Sequence, residues 1–175
     1  TNGGADPTQP LPSYQVAYGL NRTTSDPLAQ VGRGAPDVTA NAGGNASYRL
    51  ANANMSFTNG YYYGTSAASP LWASLIAQID TIFADQGLPD LGYAHDLLYT
   101  ASAIAPASFN DLTMGNNISS FVLDPDGAYT TQSYGGEWVN ITPTGFGYYA
   151  GPGYDLVSGL GSPNGTVLAR TLSAA

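Results

Sequence analysis

Among 175 residues the chain has no cysteine, no lysine, a single histidine and four arginines. Without cysteine it can build neither a disulfide framework nor a thiolate metal site. Export does not require disulfides, so this absence says nothing about compartment. Four cations against 12 acidic residues leave a net charge of -8, which argues against nucleic acid and anionic membrane surfaces as partners. The same scarcity of cations limits salt bridges. Protonating the carboxylates at low pH then removes little native-state stabilisation, and the composition suits an acidic medium. There is no run of 18 or more apolar residues, no signal peptide and no internal repeat. Thr1 therefore reads as a product of processing or a point inside a longer protein.

What is present is a turn-rich globular composition, with 43% hydrophobic residues, 22 glycines and 12 prolines, in a chain long enough for one domain to bury a core. Six Asn-x-Ser/Thr sequons, at Asn21, Asn45, Asn54, Asn117, Asn140 and Asn164, are compatible with an exported glycoprotein. Residues 1–33 are broken by Pro7, Pro10, Pro12 and Pro27 and read as extended segments and loops with at most short structure. Thr1 as an N-terminal nucleophile has no further support in the sequence.

The chain is organised around Tyr62-Tyr63-Gly64-Thr65-Ser66-Ala67-Ala68-Ser69-Pro70-Leu71-Trp72. Apolar residues at Leu71, Leu75, Ile76, Ile79, Ile82 and Phe83 mark one face of a helix that stops near Gly87, a favourable residue just past a helix end. Ser66 then sits at the helix N-terminus, where free N–H groups and the dipole favour an oxyanion. Gly64 lets the backbone turn sharply. Pro70 need not break the helix, since with Ser66 as the cap it removes at most the first intrahelical bond. By itself Thr65 or Ser66 is equally well explained as a capping residue.

Elsewhere, residues 45–63 alternate around Tyr48, Leu50, Met55, Phe57 and Tyr61. They predict two strands joined by a turn at Thr58-Asn59-Gly60. Residues 93–103 predict a shorter helix with Leu97, Leu98 and Ala101 inward, and His95 reads there as a surface or helix-terminal histidine. Asp37 is either a catalytic carboxylate or a loop-holding residue. The turn chemistry of Pro36-Asp37 favours the latter, with Arg33 as the ion partner. Residues 122–129 predict a hairpin turning at Asp126-Gly127. An EF-hand in this register is excluded, because its first and twelfth positions are Val122 and Ser133. Tyr134, Trp138, Phe146, Tyr148, Tyr149 and Tyr154 line a cleft or, as aromatics around glycine-rich loops more often do, pack.

Three separated stretches resemble the sedolisin family of serine-carboxyl peptidases. Gly64-Thr65-Ser66-Ala67-x-x-Pro70 is similar to its nucleophile motif, although subtilisins carry a related Gly-Thr-Ser-x-Ala-Ser-Pro. Gly32-Arg33-Gly34-Ala35-Pro36-Asp37-Val38 resembles the segment preceding that serine. Phe109-Asn110-Asp111-Leu112 together with Gly151-Pro152-Gly153-Tyr154-Asp155 resembles the family's C-terminal calcium site. The opening Asn2-Gly3-Gly4-Ala5-Asp6 and Pro10-Leu11-Pro12-Ser13-Tyr14-Gln15 match a fourth stretch in part, with Asp6 where the family carries Ser.

The resemblance implies a subtilisin-like α/β fold with a parallel sheet flanked by helices, of which this chain supplies the C-terminal portion. Residues 1–175 then form part of one catalytic domain, with a nucleophile segment at 60–87 and a calcium-binding region at 109–165. It implies Ser66 as nucleophile, and Ca2+ held by Asp111, the Leu112, Gly151 and Gly153 carbonyls and Asp155. It also implies a partner: an upstream segment or second chain carrying the catalytic Glu and Asp. A carboxyl base suits acid, where histidine is protonated. The expected activity is acid-active endopeptidase hydrolysis of proteins or peptides in an acidic extracellular setting, without a membrane span. The alternative is an inactive peptidase-derived structural or binding module, to which Tyr63 in place of the family's usual glycine lends weight. A subtilisin-type enzyme is disfavoured by Leu71, where subtilisins carry His, and by the position of His95 after the serine.

Overall fold

The structure is a computed structural model and describes residues 3–20, 22–43, 48, 62–133 and 135–174. β1 (Gly4–Asp6) pairs antiparallel with β2 (Arg33–Ala35), with Gly4 opposite Ala35. Between them lies the short helix α1 (Ser13–Tyr18). The proline-broken opening is thus short structure tied into one ribbon, as its punctuation predicts.

α2 spans Thr65–Asp85. It ends as expected: Gly87 has φ +69°, its N–H bonds the Ala84 carbonyl at 3.1 Å, and the Leu88 N–H bonds Phe83 at 2.9 Å. That pair of bonds is a Schellman stop. The buried stripe is rotated from the one read in sequence. Ala68, Ile79 and Phe83 are buried, Trp72, Leu75 and Ile76 pack against them, and Leu71 and Ile82 stay 46% and 40% exposed. At about 100° per residue, Leu71 and Ile82 lie at the edge of the stripe centred on Ile79.

α3 runs His95–Ile104, burying Leu98, Tyr99 and Ala101 while Leu97 remains at the surface. A single 3₁₀ turn at Pro106–Ser108 leads into β3 (Phe109–Asn110), which pairs antiparallel with β7 (Ser162–Pro163). α4 (Gly165–Ala174) closes the chain. The core lies where these elements meet, and its members include Ile79, Phe83, Tyr99, Phe109, Tyr154, Leu156, Leu160, Leu168 and Leu172.

The remaining sheet is β4 (Phe121–Leu123), β6 (Trp138–Pro143) and β5 (Tyr129–Gln132), with β6 in the centre. The predicted turn forms, since the Gly127 N–H bonds the Asp124 carbonyl at 2.9 Å. The predicted hairpin does not, because β6 inserts between the two strands the turn joins. Gly127 permits this: a Cβ there would sit 2.5 Å from the Ile141 carbonyl oxygen on β6.

All strand pairings among the described residues are antiparallel, and the expected parallel sheet is not among them. Parallel pairs need long crossovers and cover on both faces, and the longest described strand has six residues. Of the strand pair predicted at 45–63, Tyr48 and Tyr62 form an antiparallel bridge. Its remainder, including the turn at 58–60, lies outside the described residues. The aromatic residues divide. Tyr154 packs in the core while Trp138 is 73% exposed, and Tyr134 lies outside the described residues. No helix among them is long and apolar enough to cross a membrane.

Candidate active site and calcium loop

Gly64 caps α2 with φ +91° and ψ 169°, a conformation open to glycine at little cost. Its N–H bonds the Ala42 carbonyl, and its own carbonyl accepts the Ala67 N–H at 2.9 Å. Helix therefore begins at Thr65, and Ser66 is its second residue rather than its cap. Ser66 is exposed, and nothing among the described residues hydrogen-bonds its amide or hydroxyl. An unoccupied N–H beside a free hydroxyl at the positive end of a 21-residue helix suits attack on a carbonyl and stabilisation of the resulting oxyanion. Pro70 now falls in the helix, where it leaves the Ser66 carbonyl without its usual i+4 donor. The walls around Ser66 are Tyr48, Tyr62, Tyr63, Ala67, Pro70, Leu71 and Ser74. No side chain in that set can serve as a base at acidic pH.

The back of the helix is held by the extended segment 36–42. The Trp72 indole N–H bonds the Thr39 carbonyl at 2.9 Å, and the Trp72 ring stacks on Phe109 with centroids 6.4 Å apart. The other edge of the segment meets a second loop: Leu160 N–H to the Asp37 carbonyl at 2.8 Å, and Thr39 N–H to Gly161 at 3.0 Å. One strap thus bonds both α2 and the loop 151–161. Gly159 (φ +65°) is the contact point, where a Cβ would come within 2.4 Å of the Asp37 carbonyl. Gly159→Ala is therefore expected to cost at least about 2 kcal/mol, through left-handed strain and the clash together. Chemical denaturation checks it, and an unchanged midpoint would contradict the close approach.

Asp37 is held by several donors, an arrangement that fits the loop-holding role favoured from its turn. It accepts from Arg33 Nη2 at 2.5 Å, the Tyr99 hydroxyl at 2.9 Å and Gln15 Nε2 at 3.3 Å, with His95 Nε2 3.5 Å away. Arg33–Asp37 is the arginine–carboxylate pair found among the described residues. Burial opposes the Arg33 charge, yet the Asp37 hydrogen bond and charge outweigh it and raise the guanidinium pKa. Burial pushes the Tyr99 and Tyr154 phenols up, so both stay protonated. His95 is the first residue of α3 as read, but it lies against Asp37 between the Tyr14 and Tyr93 rings. Gln15, fully buried and bridging Gly34, Asp37 and Tyr99, was not singled out in sequence. Only its place after Tyr14 in the partly matched opening hinted at it.

The second motif brings Asp111 and Asp155 to opposite ends of one loop. Asp111 Oδ2 accepts the Gly153 N–H at 2.8 Å, and Asp155 Oδ2 accepts the Gly151 N–H at 3.0 Å. Asp155 Oδ1 takes the Val157 and Ser158 N–H groups at 2.9 and 2.8 Å and the Ser158 hydroxyl at 3.2 Å. The donor set fits calcium in kind: two carboxylates and the Leu112, Gly151 and Gly153 carbonyls, all oxygen, on an irregular loop. Asp111 is exposed, and its Oδ1 has no hydrogen-bond partner among the described residues. Asp155 is fully buried and both of its oxygens already accept hydrogen bonds from its own loop. Among the sequons, Asn117 donates to Gly3 and Leu156 carbonyls and accepts the Tyr148 N–H, which leaves its amide no freedom for a glycan. Asn21, Asn45 and Asn54 lie outside the described residues.

No family model matches the chain. It is 34% identical over 172 residues to kumamolisin of Bacillus sp. (strain MN-32), covering 98% of this chain and 25% of that protein. It is 32% identical over 170 residues to physarolisin of Physarum polycephalum, covering 93% of this chain and 25% of that protein. The chain thus spans about a quarter of the length of these curated relatives. A solved structure of Pseudomonas sedolisin, a serine-carboxyl proteinase complexed with two molecules of pseudo-iodotyrostatin, superposes with a TM-score of 0.63 at 22% identity. That match covers 98% of this chain and 36% of the other and shows a shared fold.

Proposed function

The chain belongs to the sedolisin family as a C-terminal sedolisin-like part, and we propose that it supplies the nucleophile of an acid-active serine-carboxyl endopeptidase. The observation that carries this is Ser66: exposed, on a glycine-hinged helix start, with no bond and no base in its walls among the described residues. In this reading Ser66 Oγ attacks the scissile carbonyl and passes its proton to a carboxylate from an upstream segment or second chain. Backbone N–H at the start of α2 holds the oxyanion, joined by an upstream Asp. Collapse expels the amine with the proton from that acid, and water then hydrolyses the Ser66 acyl-enzyme. A carboxylate base remains usable at pH values where imidazole is charged. The parallel sheet, absent from the described pairings, belongs in this reading to a single catalytic domain completed by the upstream part.

The test is an acid quench of the full-length protein during peptide turnover at about pH 4, with peptide mapping of the acyl adduct. The adduct is expected on Ser66; turnover with an adduct elsewhere overturns the assignment. The second reading, an inactive structural or binding module, draws on Tyr63, 68% exposed next to the glycine hinge. Absence of any hydrolysis by the full-length protein favours it.

Calcium is assigned to Asp111, Asp155 and the Leu112, Gly151 and Gly153 carbonyls, where it would neutralise the two carboxylates and cross-link the loop. Asp111 isolates that role, since its one described bond is the exposed contact to Gly153. Asp111→Ala is expected to abolish the calcium-dependent rise in Tm while costing under about 1 kcal/mol in chelator. A calcium increment equal to the wild type's would remove Asp111 from the site. An acidic, extracellular setting is proposed from the paucity of cations and of ion pairs that acid would break.

A further inference from the structure

α1 and α3 pack together and leave a hollow of about 380 Å³ between them, open to solvent. Two hydrogen bonds fix the pair: the buried Gln15 Nε2 donates to the Tyr99 hydroxyl at 3.0 Å, and the Tyr18 and Ser102 hydroxyls share a bond of 2.8 Å. The hollow is therefore preformed. Its aromatic lining is Tyr14 and Tyr18 from α1 and Tyr99 from α3. Tyr14 meets Tyr99 at 48° with centroids 4.9 Å apart, and Tyr18 meets Tyr99 at 85° with centroids 5.5 Å apart. Three rings in three planes make an aromatic corner. Asp96, in the first turn of α3, is exposed in the same lining, as are Ser13 and Thr100. It is the charged side chain of that lining, and no hydrogen bond or ion pair engages it among the described residues. The neighbouring cations, Arg33 and His95, both lie against Asp37, and neither lines the hollow.

We propose that this hollow is a binding site for one guanidinium group, carried by an arginine side chain or by a free guanidino compound. It is independent of Ser66 and of the calcium loop. The volume stands at the small end of ligand pockets, roughly 300–1,000 Å³, and suits a single side chain better than an extended ligand. Aromatic rings attract a cation through their quadrupole when it comes within about 6 Å of the centroid. A planar guanidinium stacks on a tyrosine ring while its N–H fork reaches a carboxylate, so the tyrosines and Asp96 serve one ligand. An anion would meet Asp96 and a net charge of -8, and is repelled. A purely apolar group would take water from the Asp96 carboxylate and return no partner. A guanidinium satisfies both walls.

The experiment titrates wild-type, Asp96→Asn and Tyr18→Leu full-length protein with N-acetylarginine methylamide, its citrulline counterpart and methylguanidinium, followed by ligand-observed NMR. It is run at pH 5.5, above the ordinary carboxylate range. Wild type is expected to bind N-acetylarginine methylamide with a Kd in the millimolar range or tighter, and the uncharged citrulline compound at least about 5-fold more weakly. Asp96→Asn, an exposed change of one charge, is expected to weaken the arginine compound about 3- to 5-fold. Tyr18→Leu, which keeps bulk and removes a ring, is expected to weaken it about 2- to 5-fold. Should Tyr18→Leu fail to fold, Asp96→Asn decides alone. Binding of the arginine compound at least as tight as that of methylguanidinium marks an arginine of a polypeptide as the ligand, and tighter methylguanidinium marks a free guanidino compound. Equal affinity for the citrulline compound overturns the proposal. So does an unchanged Kd in Asp96→Asn, which would place the cation elsewhere on this acidic protein, and so does the absence of binding to wild type.

Discussion

Ser66→Ala in the full-length protein is expected to lower peptide hydrolysis about a million-fold, the scale on which a serine peptidase loses its nucleophile. The fold is expected to be indifferent. Ser66 is exposed, its hydroxyl bonds nothing among the described residues, and alanine is the better helix former at the second position of α2. Stability should therefore change by no more than about 0.5 kcal/mol. Both readouts are required, since a lost activity with a lowered Tm would only report damage to the helix start. Residual turnover above about one part in a thousand, with peptide mapping to exclude contaminating wild type, would show that another group carries the chemistry.

Asp155→Ala is expected to behave in the opposite way, destabilising the protein by about 3–5 kcal/mol whether or not calcium is present. The carboxylate is fully buried and satisfies the N–H groups of Gly151, Val157 and Ser158. Alanine leaves those donors facing a cavity, and the loop they form also bonds the strap beneath Asp37 and Thr39. Denaturant melts in calcium and in chelator decide between two roles. A large loss in both media marks a loop organiser that a cation reinforces, whereas a loss confined to calcium marks a ligand alone. A cost below about 1 kcal/mol in chelator would contradict the hydrogen-bond pattern. Taken with Asp111→Ala, the pair separates building the loop from the proposed binding of calcium.

Two of the helices, α2 and α3, were legible because their determinants are local. The stop of α2 follows from Gly87, the presence of α3 from the apolar spacing of Leu98 and Ala101, although the sequence reading began it at residue 93 and turned Leu97 inward, and the hinge before Ser66 from Gly64. The Arg33–Asp37 pair was legible for the same reason, being four residues apart. The β4–β6–β5 order was not, since a turn at Asp126-Gly127 looks the same whether its strands pair with each other or admit a third between them. Gln15 and Trp72 were likewise invisible as site-organising residues, because their partners are 19 to 84 positions away.

By itself the sequence determined the chemistry available to this protein: one hydroxyl on a glycine-hinged helix start, two carboxylates in glycine-rich turns, and a charge balance tolerant of acid. Those follow from residue type and near-neighbour spacing. Only the tertiary structure decided what each group is free to do. It placed Asp37 under three donors, closed Asp155 within its own loop, and turned Ser66 away from the strap that clamps the helix from behind. The physical reason is that availability depends on burial and hydrogen-bond occupancy, which are set by partners distant along the chain and near in space.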